Sequence, residues 1–220
     1  MIHALIFDFD GLILETEGPI FQSWEEVYQA FGQELSFPDW AQSIGASLAE
    51  FDPQLDLQAR LGRKLDWPAI EPHRKAREMA LIEQQSTLPG VLAYFNTAKR
   101  LGIRLGLASS SSCRWVMRHI RRLELEEYFD CIRSSDDVRR VKPDPELYLA
   151  VLAALKVEPG EAIAFEDSPN GILAAKRAGL YCVAVPNLLT SQLSLNGADL
   201  QLHSLQDLPL EQLLERVQLS

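Results

Sequence analysis

The chain alternates short apolar runs with longer segments of helical period. Residues 2–7 (Ile-His-Ala-Leu-Ile-Phe) make the first run, which ends against Asp8, Asp10 and Gly11. A short apolar stretch that stops at acid and glycine predicts a buried parallel strand with polar groups gathered at its C-terminal end. Further runs at 103–108, about 129–132, 162–165 and 181–185 predict four more strands. Between them lie amphipathic patterns. Over 90–101, Val91, Tyr94, Phe95, Ala98 and Leu101 share one face, and Gly102 suits the C-terminal cap. Over 145–156, Leu147, Val151 and Leu155 recur at helical spacing, behind Asp144 as N-cap and Pro145 as first helical residue. Residues 169–178 close at Gly179, with Lys176 and Arg177 in the last turn, where cations suit the helix dipole. Strands alternating with helices predict an α/β fold, a Rossmann-like parallel sheet flanked by helices on both faces.

The alternation breaks over residues 17–86. The first helical pattern there has Pro19 near its start, Ile20, Trp24, Val27, Tyr28 and Phe31 on one face, and Gly32 after it. A second pattern covers 47–61 and a third 67–85, with no convincing strand between. The expected organisation is a core built from 1–14 and 87–220, with a helical insertion over 15–86 hinged near 14–18 and 86–89.

Composition narrows the class. Hydrophobic residues are 47% and charged residues 24%, as in a soluble globular protein. No stretch approaches the apolar length of a membrane span, and the N-terminus lacks the basic start and cleavage site of a signal peptide. Cys113, Cys131 and Cys182 lie far apart without a CxxC pair, which predicts free thiols in a reducing cytoplasm. The four histidines lack zinc-ligand spacing. A net charge of −10 repels polyanions, so nucleic acid is not an expected partner. The basic stretch from Arg114 to Arg122 reads as a solvated helix face.

Four clusters carry candidate chemistry, each at or just after a predicted strand end, where open parallel sheets bind ligands. Asp8 and Asp10, in Phe7-Asp8-Phe9-Asp10-Gly11, are carboxylates that must be neutralised near a buried strand; a divalent cation held by oxygen would do it. Ser109, followed by Ser110, Ser111 and Ser112, offers a hydroxyl and free backbone amides at a helix start, a site for an anion or a plain N-cap. Lys142 stands before Pro143, which favours an extended backbone. Glu166 and Asp167, in Phe165-Glu166-Asp167-Ser168-Pro169-Asn170-Gly171, form a second acidic pair after an apolar strand.

In this order the four clusters resemble the motifs of the haloacid dehalogenase superfamily: DFDG at 8–11 counting from its first aspartate, the serine of LASS at 109, VKPDP around Lys142 and FEDSPNG at 165–171. The resemblance runs from residue 2 to about 186 and looks closest to the β-phosphoglucomutase-like and phosphoglycolate-phosphatase-like branch, whose small helical cap follows the first motif. It implies that Asp8 is a nucleophile forming an aspartyl-phosphate and Asp10 the general acid and base. It implies that Ser109, Ser110 and Lys142 hold the phosphoryl oxygens, with help from the amides of Phe9 and Asp10. It implies that Mg²⁺ is bound by Asp8, Asp10 (through its carbonyl) and Asp167, with Glu166 assisting. The retained Asp10 and the acidic pair argue against a dehalogenase.

Two departures from the family stand out. Glu15-Thr16-Glu17 replaces the usual Asp-Thr-Glu or Asp-Ser-Glu, which shifts the hinge contact by a methylene. Ile20 stands where the mutases carry a histidine, and Ile44-Gly45-Ala46-Ser47-Leu48 offers no arginine. A mutase must hold and turn a bisphosphate, which calls for cations there. The expectation is therefore a Mg²⁺-dependent phosphatase of a small phosphorylated metabolite, monomeric or weakly dimeric, without membrane or nucleic-acid partners. The alternatives are a phosphosugar mutase or a non-catalytic phospholigand-binding protein. Glu17, Trp24, Trp40, Ser47, His73, Arg74 and Arg77 are candidates for substrate selection. Trp24 reads more readily as core, and His73, Arg74 and Arg77 as a solvated face.

Overall fold

A computed structural model describes residues 1–41 and 51–218. The chain divides into two compact units, one of residues 1–14 and 86–220 and one of residues 15–85.

The first unit is built on a parallel sheet of β1 (Ala4–Phe7), β2 (Arg104–Ala108), β3 (Cys131–Arg133), β4 (Ala162–Glu166), β5 (Tyr181–Ala184) and β6 (Leu200–Gln201), in the order β3-β2-β1-β4-β5-β6. All pairings are parallel. This is the α/β architecture expected from the alternating pattern. The helices of this unit are α5 (Val91–Leu101), α6 (Cys113–Arg122), α7 (Glu146–Leu155), α8 (Pro169–Arg177) and α9 (Leu210–Gln218).

Both sides of the sheet are covered, so successive residues of β1 are buried on opposite faces. Ala4 and Ile6 join a cluster with Tyr148 and Val151 of α7 and Ile172 and Ala175 of α8. On the other face the ring of Phe7 stacks on Phe165 at 4.5 Å and meets the edge of Phe95 at 5.1 Å. Aromatic pairs of this geometry add attraction beyond the area they bury. They fix β1 against β4 and α5.

Several expectations shift by a residue or two. The N-cap of α7 is Pro145 rather than Asp144, so Pro145 is not the first helical residue; Asp144, one residue earlier, accepts from Glu146 N at 3.1 Å through Oδ1. Leu101, placed on the apolar face of α5, is 44% exposed. It ends the helix, where the face is running out of core. The run at 129–132 forms its strand at Cys131–Arg133. The edge strand β6 has no counterpart among the expected strands.

The second unit contains α1 (Glu17–Ala30), α2 (Phe37–Ala41), α3 (Pro53–Leu61) and α4 (Trp67–Glu83). The short α2 was not expected, and the start of the helix expected over 47–61 lies outside the described residues. Trp24 of α1 is core, meeting Trp67 at a ring distance of 6.0 Å. Tyr28 is buried and donates its hydroxyl to Asp56 Oδ2 at 2.7 Å, tying α1 to α3. Arg74 overturns its reading as a solvated residue. It is buried, donates to Glu71, Glu78 and Ser23, and lies over the Trp24 ring at 4.5 Å. The two glutamates, three before and four after it on α4, make that burial tolerable. Glu15 accepts from Gly18 N at 2.9 Å through its side chain, so the longer acid supplies the first turn of α1 with an acceptor.

Candidate active site

β1 and β4 are neighbours with Phe7 opposite Phe165, so Asp8 and Glu166 leave the sheet level with each other at its carboxyl edge. Chain order runs outward from this pair in both directions, β2-β3 one way and β5-β6 the other. That makes it the switch point at which open parallel sheets form a ligand crevice. One carboxylate oxygen each from Asp8, Glu166 and Asp167 lie within 4.8 Å of one another, and all three residues are buried.

Lys142 comes to the same place. Its side chain is 6% exposed, and its ammonium donates to Asp8 Oδ1 and pairs with Glu166 Oε1. Burial opposes the charge on Lys142, but the carboxylates of Asp8 and Glu166 outweigh it and hold the ammonium above its ordinary range. The hydroxyl of Tyr148 donates to Glu166 Oε1 as well. Burial pushes Glu166 up to about 7, against the pull of Lys142. Burial and the Glu166 charge together raise the Tyr148 phenol well above its usual range, so it serves as a donor.

Asp10 turns its side chain toward the end of β2. Ser111 Oγ donates to Asp10 Oδ2 at 2.7 Å, Ser109 Oγ to the same oxygen at 3.4 Å, and Trp115 Nε1 to Oδ1 at 2.8 Å. Ser109 is buried and accepts from Ser111 N at 3.0 Å, whereas Ser110 is exposed. Ser112 caps α6 by accepting from Trp115 N. The fold thus gathers Asp8, Lys142, Glu166 and Asp167 in one cluster. Ser109 joins Asp10, two residues along the same loop.

Two glycines make room for the acids. Gly11 has φ of +79°, and a Cβ there would fall 2.3 Å from Asp167 Oδ2; a Cβ on Gly171 would fall 1.8 Å from Glu166 Oε2.

Four residues of the site escaped the sequence reading: Ser111 and Trp115, which hold Asp10; Tyr148, which holds Glu166; and Asn187. Asn187 donates through Nδ2 to Asp167 Oδ2 at 2.9 Å, and its Oδ1 accepts from Leu189 N and Thr190 N. Its signal was available, because it follows β5 at the same carboxyl edge. Among residues considered for substrate selection, Trp24, Trp40 and Arg74 are buried, His73 is exposed, and Arg77 is exposed and paired with Glu26. Ser47 and the stretch 44–48 lie outside the described residues. The basic stretch 114–122 is exposed at Arg114, Arg118 and Arg121, but His119 within it is buried, its ring 4.5 Å from that of Trp115.

The donor set suits a hard divalent cation. Three carboxylates face a single ammonium in the cluster, which leaves an excess of negative charge in a dry place. Glu166 Oε2 is buried with no hydrogen-bond partner, an arrangement that is costly unless a cation or its water shell supplies one.

The family model of the haloacid dehalogenase-like hydrolases matches residues 5–185. The chain belongs to this family. It is 43% identical to YhcW of Bacillus subtilis (strain 168) over 217 residues, covering 99% of this chain and 98% of that one. It is 34% identical to the phosphorylated carbohydrates phosphatase of Thermotoga maritima, over 81% of this chain and 82% of that one. Its fold matches the crystal structure of CbbY from Rhodobacter sphaeroides in complex with phosphate, with a TM-score of 0.69, 32% identity, and coverage of 93% and 95%. This haloacid dehalogenase-like hydrolase is therefore an enzyme, and the acidic cluster of Asp8, Glu166 and Asp167 sits at the carboxyl edge of its sheet. Among its described residues no helix is long and apolar enough to cross a membrane.

Proposed function

We propose that this hydrolase is a Mg²⁺-dependent phosphatase of a small phosphorylated carbohydrate or similar metabolite, acting through an aspartyl-phosphate on Asp8. The observation that carries the reading is the convergence of Asp8, Glu166 and Asp167 within 4.8 Å, with the Lys142 ammonium on Asp8. The Thermotoga relative's activity and the phosphate bound by CbbY support the substrate class.

Asp8, Asp167 and the carbonyl of Asp10 would hold the Mg²⁺, with Glu166 beside them. The ion, when bound, supplies positive charge to the phosphoryl oxygens and to the Asp8 carboxylate. Lys142 pins Asp8 Oδ1 and adds a second positive charge next to the nucleophile. An Asp8 oxygen attacks phosphorus, and the bond from phosphorus to the leaving oxygen breaks. Asp10 gives that oxygen a proton. It then takes a proton from water, whose oxygen attacks phosphorus and restores the Asp8 carboxylate, releasing inorganic phosphate. Ser109 and the backbone amide of Ser110 hold the phosphoryl oxygens. The helical unit of residues 15–85 serves as the cap that selects the substrate. The enzyme works in the cytoplasm as a monomer or weak homodimer.

The test is phosphate release from p-nitrophenyl phosphate and a panel of sugar phosphates. Activity is expected with Mg²⁺ and to vanish in excess chelator, and Asp8→Asn is expected to lose at least about 10³-fold in kcat. Unchanged turnover in Asp8→Asn contradicts the covalent route. Conversion of glucose 1-phosphate to glucose 6-phosphate with a bisphosphate primer, without phosphate release, would make the enzyme a mutase instead. Binding across the whole panel without turnover would make it a phospholigand-binding protein.

A further inference from the structure

Asp10 is held on both oxygens by donors of different character. Trp115 Nε1 donates to Oδ1 at 2.8 Å. An indole N–H can only donate, so the oxygen that meets it must offer a lone pair and carries no proton along that bond. Oδ2 meets Ser111 Oγ at 2.7 Å and Ser109 Oγ at 3.4 Å. Serine hydroxyls both donate and accept, so Oδ2 keeps its bonds whether or not it is protonated. Oδ2 is also the oxygen on the side of Ser109, the residue assigned to the phosphoryl group.

Trp115 is itself fixed. It lies in the first turn of α6, its amide donates to the Ser112 side chain, and its ring packs edge-on against His119 four residues later. The His119 ring in turn stacks on Phe9, the residue between Asp8 and Asp10, at 6.4 Å. The indole is therefore braced against the loop whose carboxylate it holds.

We propose that Trp115 is a positioning residue for Asp10: its indole N–H locks Oδ1 as an acceptor and leaves Oδ2 as the oxygen that passes the proton to the leaving group. This rests on the reading of Asp10 as acid and base. It gives a half-buried aromatic of α6 a share in the chemistry of the β1 loop, and it separates the two oxygens of one carboxylate by function.

Proton delivery matters only when the leaving group needs a proton, so the test compares two substrates of similar shape. Single-turnover release of the phenol is measured with Mg²⁺ from phenyl phosphate, whose leaving oxygen is basic, and from 2,4-dinitrophenyl phosphate, whose leaving group departs without a proton. Trp115→Phe is expected to slow the first by about 10-fold and the second by less than about 2-fold, a share of the full acid contribution. Equal slowing of both, or of neither, overturns the proposal, because a merely structural indole would not sense the leaving group. Asp10→Asn runs in parallel and is expected to show the same dependence, larger. If Asp10→Asn shows no dependence on leaving group, the acid–base reading of Asp10 falls, and the role of Trp115 with it. If Asp10→Asn shows it and Trp115→Phe does not, the role of Trp115 alone falls. Should Trp115→Phe fail to fold, β-(3-benzothienyl)alanine at position 115 keeps the ring outline and removes only the N–H, and the same two outcomes decide.

Discussion

Lys142 keeps its ammonium where water is nearly excluded, and it does so because two carboxylates meet it there. Burying one charge is expensive, and burying an unmatched set is more so. The ammonium therefore serves the fold before it serves any substrate. Lys142→Met keeps the length of the side chain and deletes the charge, leaving Asp8 and Glu166 facing each other without it. Breaking a buried pair in this way costs about 3–5 kcal/mol, and the lower end is expected because Glu166 can take up a proton instead. The expected result is a fall of about 3 kcal/mol in the unfolding free energy of the chelator-treated protein, read from its denaturant midpoint. An unchanged midpoint would show that Lys142 contributes nothing to holding the acids together. Arg74 shows the same logic away from the acidic edge: it is buried in company with Glu71, Glu78 and Ser23.

At the scale of elements, α8 approaches the end of β4 so closely that Gly171 has no room for a side chain. A methyl group there would overlap the Glu166 carboxylate. Gly171→Ala must push either the helix or the carboxylate aside. The expected cost is about 1–3 kcal/mol of stability, the range for overpacking a tight contact, together with weaker Mg²⁺ affinity in isothermal titration. Wild-type Mg²⁺ affinity in Gly171→Ala would mean that Glu166 stands clear of the ion. The motif glycine was readable in the chain only as part of FEDSPNG, and its reason emerges only once α8 lies on β4. The same distinction runs through the fold. β1 and β4 were legible because a short apolar run ending in acid has few other meanings in a parallel sheet. β6 was not, since two residues at a sheet edge, Leu200 and Gln201, carry no period. Ser109 and the two acidic pairs stand at strand ends and were readable there, whereas Lys142, nine residues past β3, stood out only before Pro143 in VKPDP. Trp115 and Tyr148 were hidden because each owes its role to a partner on another element of the fold, whereas Asn187 stands past a strand end and could have been read there. Trp115 meets Asp10, and Tyr148 meets Glu166, only through the order in which the strands line up. Arg74 was misjudged because its charge was weighed alone and not with the two acids at helical spacing.

At the scale of the whole molecule, the acidic edge makes stability depend on pH and, under the proposed function, on the metal as well. Glu166 is held near 7 in the fold against an ordinary value of 4.5, so the folded chain keeps a proton that the unfolded chain releases. Stability therefore falls as pH rises between those two values, since there the unfolded state binds fewer protons than the native one. This is the reverse of a salt-bridged carboxylate, whose contribution is lost toward acid. In the metal-free protein the penalty is complete above about pH 7, where Glu166 is charged in a dry site. Under the proposed function a divalent cation would bind the ionised carboxylate and remove the penalty, but near pH 5 it would first have to displace the proton. Two outcomes follow for thermal unfolding. In chelator, Glu166→Gln should gain stability relative to the parent on going from pH 5 to pH 8, because the amide carries no titrating charge. In the parent, saturating Mg²⁺ should raise Tm more at pH 8 than at pH 5, since ligand that binds only the native state stabilises it in proportion to its affinity. A difference between Glu166→Gln and the parent that stays flat across this range would remove Glu166 as the source of the pH dependence. A Mg²⁺ shift equal at both pH values would place the ion on the other acids alone. The edge that gathers these acids thus loses stability with rising pH unless a cation matches its charge, and under the proposed mechanism that cation is the one the chemistry uses.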